Sequence, residues 1–443
     1  YRQHRYLNKE DCFTENEKQQ MMEITEKMDD VTAQDALKNL SSYLNLLYGK
    51  KVLIFLDEYD TPMQEAYING YWDEFTGFMR GLFNATFKTN PYLERAIMTG
   101  ITRVSKESVF SDLNNLTVIT TTSDQYADCF GFTEEEVFKT LDQFGMSDKK
   151  QIVKQWYDGF SFGPFKDIYN PWSITNYLKE KKLRPYWAST SSNGLISKLL
   201  QSASANMKTQ LEELLNGKQI IVNFDEQIIF GQLEQDENAV WSLLVASGYL
   251  KVEEIEYKGM TLEPWYHLAI TNLETISMFS NMFKGWFATA SANYNEFIKA
   301  MLGGNVKAMN LYMNDIALAT FSSFDVGKHF SQRSQPERFY HGFVLGLLVE
   351  VRDLYEIRSN RESGYGRYDV MLIPKTKKND GIILEFKVKE SEEKTLEETV
   401  QMALAQIESK KYDAELLELG VSKEHIRHYG FAFEGKKVLI GQK

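Results

Sequence analysis

The chain has 443 residues, 43% of them hydrophobic and 25% charged, a length and composition that favour two or three folded domains over disorder. Its net charge of −12 argues against a protein that coats nucleic acid with a generally basic surface. Two cysteines without a paired spacing give no sign of a disulfide framework or a thiolate zinc site, and no apolar run is long enough to cross a membrane. These features predict a cytoplasmic protein with no membrane partner.

The first hundred residues predict a parallel α/β unit. Apolar residues at helical spacing predict a helix over residues 14–48, ended by Gly49. The segment "KVLIFLDEYD" is typical of a buried strand that ends in acid, a helix is expected from about Pro62 to Lys88, and "RAIMTG" is typical of a second strand. The order strand, helix, strand characterises parallel α/β folds.

The middle of the chain is expected to be mainly helical. "TEEEVFKTLDQF" begins behind Thr133 as a helix cap, with Glu136 three residues on, and "NPWSITNYLKEKK" begins another helix. Alternating residues on both sides of Gly259 predict a β-hairpin after a helix, a possible winged-helix-like element at 239–270. The acidic charge of this element argues against phosphate contacts.

The last segment predicts a smaller α/β domain after a Ser- and Gln-rich loop near residue 332. The expected elements are, in order, a helix, two strands, a helix and a terminal hairpin, at residues 336–355, 368–373, 381–388, 396–410 and around 434–435. Nearly all of the excess acid lies before residue 334, so this segment is almost neutral and can hold a basic groove beside an acidic metal site.

Asp57 and Glu58 stand at the carboxyl end of the first strand, where α/β sheets bind their ligands. In P-loop nucleotidases an acid at this point holds magnesium, and a following Glu can orient the attacking water. A buried strand that meets a solvated turn would give the same pattern. The phosphate-binding loop GxxxxGK[ST] is missing, because no Gly-Lys pair in the chain is followed by Ser or Thr.

The strings "FLDEYDTPMQEAY", "MTGITRVSKESVFSDLNNL", "FGFTEEEVFKTL", "WYDGF" and "YNPWSITNYL" occur in this order between about residues 50 and 200, and they resemble a bacterial AAA-ATPase-like family. In that family a strand and a P-loop normally precede this region, so the resemblance implies a chain that lost them by truncation or was built without them. It also implies that Asp57 is the Walker B magnesium ligand and Glu58 its catalytic partner. Thr99 and Arg103 would then lie near the γ-phosphate, although Arg103 could equally form a surface salt bridge. Without the loop we expect no tight ATP binding, whereas a full-length form would bind ATP.

Two carboxylates and a lysine interrupt the apolar strands of "GRYDVMLIPKTKKNDGIILEFKV" in the last segment. Asp369 precedes an apolar run, and Glu385 and Lys387 point to one face of the next strand because side chains alternate along it. An Asp and a Glu from neighbouring strands would supply the one or two carboxylates that Mg²⁺ takes from a protein, with Lys387 able to orient water and offset phosphate charge. A Glu–Lys pair on a solvated face, with Asp369 in a turn, is the alternative, and the spacing leaves both open.

The order helix, strand with Asp, strand with Glu-x-Lys, helix resembles the PD-(D/E)xK nuclease superfamily. "RFYHGFVLGLL", "SNRESGYGRYDVMLIP", "IILEFKV", "ALAQIESKKY" and "YGFAFEGKKV" are similar to the nuclease-like domain that follows the AAA-ATPase-like domain in the same family, over residues 335–443. The resemblance implies that Asp369, Glu385 and Lys387 form the catalytic core, with Mg²⁺ or Mn²⁺ as the cofactor bound by the two acids.

Three further residues are candidates for the same site. Gln406, on the helix after the Glu-x-Lys strand, matches a position where the superfamily often places a polar residue near the site. An additional acid would be Glu337 on the first helix or Glu362 in the loop before Asp369, with Glu337 ranked first. Each of the three could instead be a solvated surface residue.

The sequence thus predicts an α/β protein in three parts: a truncated P-loop-type AAA-ATPase-like domain, a mainly helical linking region, and a restriction-endonuclease-like domain, at residues 1–200, 201–332 and 333–443. The leading hypothesis is a Mg²⁺-dependent nuclease, with DNA as the favoured nucleic-acid partner, coupled to an ATPase-like regulatory domain. The alternative is a nucleotide-regulated switch whose nuclease-like domain binds nucleic acid without cutting it. The oligomeric state and the choice between DNA and RNA stay open.

Overall fold

A computed structural model describes the chain over residues 1–101, 113, 115–188, 194–226, 236–286, 291–320, 342–347, 349–363, 366–376, 378–389, 393, 395–434 and 436–443. Helices and strands are mixed throughout, which confirms the predicted α/β class. The chain divides into two compact units, formed by residues 1–127, 162–164 and 223–249, and by residues 128–161, 165–222 and 250–443. None of the described helices combines the length and the apolar character that crossing a bilayer requires.

The elements as far as residue 222 are α1 (Glu15–Glu23), α2 (Asp30–Tyr48), β1 (Val52–Leu56), α3 (Thr61–Asn69), α4 (Trp72–Phe83), β2 (Leu93–Met98), β3 (Phe132–Thr133), α5 (Glu134–Gln143), α6 (Lys150–Tyr157), β4 (Phe160–Phe162), β5 (Phe165–Tyr169), α7 (Pro171–Glu180), α8 (Gly194–Ser202), α9 (Ala205–Leu215) and β6 (Ile220–Val222). The later elements are α10 (Glu237–Ala246), β7 (Leu250–Lys258), β8 (Glu263–Ile270), α11 (Leu273–Trp286), α12 (Ser291–Gly303), α13 (Val306–Thr320), β9 (Tyr355–Ser363), β10 (Gly366–Pro374), β11 (Gly381–Val388), α14 (Leu396–Lys410), α15 (Asp413–Glu418), β12 (Ile426–Glu434) and β13 (Lys437–Gln442).

The first unit contains the predicted parallel strand pair, because β1 and β2 run parallel with Ile54 beside Ala96. The two long helices expected around this pair are each interrupted. Asp29 begins α2 as a separate helix by accepting a hydrogen bond from the backbone N–H of Thr32 at 2.8 Å. Gly70 ends α3 in the left-handed conformation, with φ of +81°, that glycine adopts without strain.

The prediction that β1 is buried is wrong for one of its faces. Leu53 and Phe55 are 58% and 71% exposed, and Ile97 beside them on β2 is exposed as well. Side chains alternate along a strand, so the less exposed Val52, Ile54 and Leu56 share the opposite face of β1. A continuous apolar run therefore predicted burial of both faces although one face is exposed. The sequence alone does not show whether other elements cover one face of a strand or both.

Local signals in the second unit predicted its elements well. Thr133 and Glu136 form a reciprocal capping box at the start of α5, as expected. The hairpin predicted around Gly259 is confirmed by β7 and β8, which pair antiparallel. Strand β6 adds to the other side of β8 and makes a small three-stranded sheet.

A five-stranded mixed sheet in the order β13-β12-β11-β10-β9 dominates the C-terminal part of the second unit. The pairs are antiparallel except β11 and β12, which run parallel and are connected through α14. Both strands and the helix predicted at 396–410 are confirmed, and so is the terminal hairpin. Strand β9 at 355–363 was not expected, because its sequence "YEIRSNRES" is too polar to signal a strand. Of the helix expected at 336–355, residues 342–347 and 349–350 are helical, but residues 351–354 form a bend and turn and β9 begins at Tyr355, so the expected end of the helix is wrong.

The two faces of this sheet carry different cores. On the face of α14, odd-numbered strand residues such as Met371 and Ile383 pack with Val400, Leu404 and Ile407. On the opposite face, the rings of Phe386 and Phe431 stack with their centroids 4.6 Å apart. Because Asp369, Glu385 and Lys387 share the odd-numbered register, the alternation places all three on the α14 face, where the apolar core gives way to polar residues.

Side chains of two helices outside the sheet satisfy both of its edges. Asn310 and Asn314, one turn apart on α13, each donate to and accept from the backbone of β13, with distances of 2.7–3.0 Å. On β9, the carboxylate of Glu212 accepts from the backbone N–H and the hydroxyl of Ser359. Each helix thus replaces the missing neighbouring strand, which protects an edge that would otherwise expose unpaired backbone groups.

Candidate active site

Asp369 and Glu385 lie on the neighbouring strands β10 and β11, next to the last apolar pair between these strands. Val370 pairs with Leu384, so the two acids lie one residue further along the same antiparallel pair. Asp369 Oδ2 accepts a hydrogen bond of 2.7 Å from the backbone N–H of Phe386. The structure therefore brings the predicted acid pair together on one face.

Gln406 joins the two charged residues of β11. Its Oε1 accepts a hydrogen bond of 2.8 Å from Lys387 Nζ, and its Nε2 donates to Glu385 Oε1. Lysine carries only donors, so the amide oxygen must face Lys387 and the amide nitrogen must face Glu385. The predicted Gln406 thus fixes both groups from α14, rather than lying exposed on the helix surface.

The carboxyl group of Glu385 is almost completely buried. The residue is only 2% exposed, and its Oε2 is a buried atom that has no hydrogen-bond partner among the described residues. Burial, with a smaller contribution from the charge of Asp369, raises the pKa of Glu385 to about 8, while the charge of Lys387 opposes this rise. A buried carboxylate oxygen without a donor costs free energy, which a bound cation would repay.

Tyr412 is part of this cluster, and the sequence did not indicate it. Its hydroxyl accepts a hydrogen bond of 3.1 Å from Gln406 Nε2, and its ring belongs to the buried core under α14. Burial raises the pKa of Tyr412, so its hydroxyl stays protonated at neutral pH. Tyr412 lies six residues after Gln406, a spacing that does not place two residues on one face of a helix. It reaches Gln406 because α14 ends at Lys410 and the chain turns back before Tyr412. Only the turn geometry could have revealed it.

Three of the predicted residues have side chains outside the part of the chain that the structure describes. Arg103 and Glu337 fall in segments that are not described, and Glu362 lies on β9 with only its backbone described, opposite Arg367 of β10. Their expected roles stay predictions.

The other predicted group lies at the carboxyl ends of β1 and β2 in the first unit. Thr99 donates a hydrogen bond from its hydroxyl to Asp57 Oδ1, and its backbone pairs with Leu56 and Tyr59 at 2.9 and 3.0 Å. Glu58 stands between them with a left-handed backbone, φ of +52°, which is strained for a residue with a side chain. The structure therefore brings Asp57, Glu58 and Thr99 together, all three exposed at the sheet edge.

Asp60 is a third acid of the same turn, and it was not predicted. It is buried, and its Oδ2 accepts from the backbone N–H of Ile101 at 3.1 Å and from Gln64 at 3.2 Å. A side chain on Gly100 would place its Cβ 2.6 Å from Asp60 Oδ1, so this turn requires glycine. The third acid of "LDEYD", just before a helix that begins with Thr-Pro, was the signal for such an anchoring role.

The sequence of the C-terminal sheet lies within a match to a known family model. Residues 335–443 match the PD-(D/E)XK nuclease superfamily, and residues 3–110 match a family described as predicted AAA-ATPase. These matches confirm the expected architecture, in which an AAA-ATPase-like segment precedes a C-terminal PD-(D/E)XK nuclease superfamily domain. Asp369, Glu385 and Lys387 all fall within the nuclease match.

A more particular relative is an uncharacterized protein encoded in the vnfD 5' region of Azotobacter chroococcum mcd 1. It is 26% identical over 227 residues, which cover 51% of this chain and 41% of that protein. The chain therefore spans less than half the length of this relative. No solved structure matches the chain.

Proposed function

We propose that the C-terminal domain hydrolyses phosphodiester bonds in nucleic acid, preferentially DNA, with a divalent metal ion as cofactor. The observation that carries the proposal is the buried, unpartnered Oε2 of Glu385 beside a second acid, Asp369, with Lys387 on the same strand face. If Glu385 served only in a structural ion pair, its Oε2 would be expected to have a hydrogen-bond partner, because buried polar atoms normally have one.

The donor set fits Mg²⁺ or Mn²⁺. Asp369 and Glu385 offer the hard carboxylate oxygens that these ions prefer, and the remaining ligands would be water and phosphate oxygens. Glu337 is proposed as an additional acid. When bound, the ion would lower the pKa of water and offset charge on the phosphate.

The protein's own residues would prepare the reaction around that ion. Gln406 holds Lys387 through its amide oxygen, which directs the ammonium toward the face that also presents Glu385. From there Lys387 would donate to a phosphate oxygen and stabilise the charge that develops as the bond breaks. Asp369 is oriented by the backbone N–H of Phe386, so its carboxylate does not need to reorganise.

We further propose that the first unit is a regulatory nucleotide-binding domain in a full-length form of the protein. Asp57, Glu58 and Thr99 meet at the carboxyl ends of parallel strands, where such folds bind magnesium and phosphate. Arg103 is proposed to contact the γ-phosphate. We also propose that the chain has three domains, at residues 1–200, 201–332 and 333–443. The third domain would hydrolyse the phosphodiester bond.

Cleavage assays test the proposal. The full chain should cleave labelled double-stranded DNA, single-stranded DNA or RNA in Mg²⁺ or Mn²⁺, and EDTA should stop it. Asp369→Asn, Glu385→Gln and Lys387→Met should each abolish cleavage, while Glu418→Gln, an exposed acid of α15, should not change it. Cleavage that survives all three substitutions would exclude this site. Binding in a gel-shift assay without cleavage in any metal would favour the alternative, a domain that binds nucleic acid but does not cut it.

A further inference from the structure

Three acidic side chains from three different elements meet in the second unit, and none of them belongs to the nuclease site. Glu134 begins α5, Asp158 follows α6 directly, and Asp167 lies within β5. One carboxylate oxygen from each lies within 4.8 Å of the others. Glu134 lies 24 residues before Asp158, and Asp167 lies 9 residues after it, so the fold rather than a run of adjacent acids assembles this group.

Asp158 is the member that cannot be explained as a solvated surface acid. The residue is 7% exposed, and its Oδ1 is buried without a hydrogen-bond partner in the part of the chain that the structure describes. A carboxylate withdrawn from water without compensating donors or a cation costs several kcal/mol or takes up a proton. This oxygen therefore indicates a missing positive partner.

Lys154 supplies part of that positive charge, but of its three contacts with these acids the one with Asp158 is the longest. Its Nζ contacts Glu134 Oε2 and lies 3.3 Å from Asp167 Oδ1, whereas the distance to Asp158 Oδ2 is 3.8 Å. The last distance exceeds the roughly 3.2 Å of an N–H···O hydrogen bond. One ammonium also leaves three carboxylates with an excess of negative charge.

We propose that Glu134, Asp158 and Asp167 form a binding site for a hard divalent cation, Ca²⁺ or Mg²⁺, for which the ammonium of Lys154 competes. Three carboxylates with water as the remaining ligands are a donor set that suits both ions. The side chains of Glu134 and Asp167 are partly exposed, so an ion can enter from solvent. Lys154 has a flexible stem and can swing away, because its own side chain is also partly exposed.

Tyr169 allows cation binding at the proposed site to be measured by luminescence. Its hydroxyl donates a hydrogen bond of 3.3 Å to Glu134 Oε2, so the phenol ring lies next to the carboxylates. Tb³⁺ has ligand preferences close to those of Ca²⁺, and a neighbouring tyrosine sensitises its luminescence. Binding can therefore be followed without any assay of cleavage.

The experiment uses the full chain with Asp57→Asn, Asp369→Asn and Glu385→Gln, so that neither of the other proposed magnesium sites contributes. Titration with Tb³⁺ should give saturable, tyrosine-sensitised luminescence that CaCl₂ displaces, and CaCl₂ or MgCl₂ alone should raise the melting temperature. Adding Glu134→Gln and Asp167→Asn should abolish both responses. Adding Glu135→Gln, which removes an exposed neighbouring acid outside the cluster, should leave both unchanged.

Lys154→Met distinguishes a cation site from a lysine-bridged acid cluster. Removing a positive charge this close should tighten Ca²⁺ binding about tenfold or more, in line with the effect of a neighbouring charge on a titrating group. If Lys154 is instead the permanent counter-ion, the variant will be less stable and no added cation will restore it. That result would overturn the proposal. So would a Tb³⁺ luminescence response that is the same in the starting protein and in the variant that also carries Glu134→Gln and Asp167→Asn. Because the starting protein itself is measured, a variant that fails to fold does not obscure the answer.

Discussion

Gln406 donates a hydrogen bond from its amide nitrogen to Glu385 while its amide oxygen accepts one from Lys387. One neutral side chain on α14 thus holds an acid and a base of β11 in fixed orientations. The amide cannot rotate by half a turn without directing its N–H groups at an ammonium, so this arrangement has a single stable state.

Gln406→Ala should therefore weaken metal-dependent cleavage by about 10- to 100-fold, the usual cost of losing a group that orients a metal ligand. The reason is that Glu385 loses its donor and Lys387 loses its acceptor at the same time. Cleavage rates measured over a range of Mg²⁺ concentrations should show a higher metal requirement. Gln401→Ala, on the exposed side of the same helix, should behave like the unaltered protein, and an equal loss there would contradict this explanation.

The burial of Glu385 predicts a pH-dependent stability in metal-free buffer. Burial and the nearby charge of Asp369 raise the pKa of Glu385 to about 8 from its ordinary value of 4.5. Between these values the folded state keeps a proton that the unfolded state has released, so stability falls as pH rises through this window. The melting temperature in EDTA should accordingly drop between about pH 5 and about pH 8.5, a range that covers most of the interval between the two pKa values.

Glu385→Gln should remove most of this fall and make the protein more stable than the unaltered chain at pH 8.5. A neutral amide has no charge to desolvate, and the gain should exceed about 1 kcal/mol, since each unit of pKa shift corresponds to about 1.4 kcal/mol. Glu418→Gln serves as the control and should leave the slope unchanged. Parallel pH curves for the two variants would show that Glu385 does not keep its proton in the folded state.

Short, locally encoded elements were predictable from the sequence. The capping residues of α5, the glycine of the β7–β8 hairpin and the apolar run of β11 all act within a few residues, so their signals do not depend on tertiary context. Strand alternation also places Glu385 and Lys387 on one face, whereas the pairing with Asp369 and the choice of Gln406 depended on the resemblance to the nuclease superfamily, and the roles of all four stay predictions.

What escaped prediction depends on contacts between distant parts of the chain. Strand β9 is polar, and it becomes a strand because β10 pairs with it on one side and Glu212 satisfies its backbone on the other. Tyr412 reaches the site through a turn that ends α14. The exposed face of β1 has the same apolar sequence as a buried one. No window of neighbouring residues contains this information.

Nucleotide binding should be absent from this chain even though Asp57, Glu58 and Thr99 meet. The sequence has no GxxxxGK[ST] loop, and that loop supplies most of the backbone donors and the lysine that hold the phosphates. We expect no saturable heat on titration with Mg²⁺-ATP and no rise in melting temperature. An upstream extension that carries a P-loop should restore binding, and Asp57→Asn should then weaken it. Tight ATP binding by the present chain would show that another segment holds the phosphates.

The asparagines of α13 should contribute more to stability than their polar character suggests. Asn310 and Asn314 each pair with both a backbone N–H and a C=O of the edge strand β13, at Ile440 and Val438. Replacing either by Ala leaves backbone groups without a partner in a partly buried place, at a cost of about 1–3 kcal/mol. Urea unfolding should show this loss, and hydrogen exchange should accelerate at Val438 and Ile440 but not in β11. Asn176→Ala, which removes a half-buried asparagine whose side chain, within the described part of the chain, bonds to the carbonyl of Trp172 in its own helix α7, should cost far less. If all three substitutions cost the same, the asparagines do not act as a substitute strand, and the sheet would be expected to fold without α13.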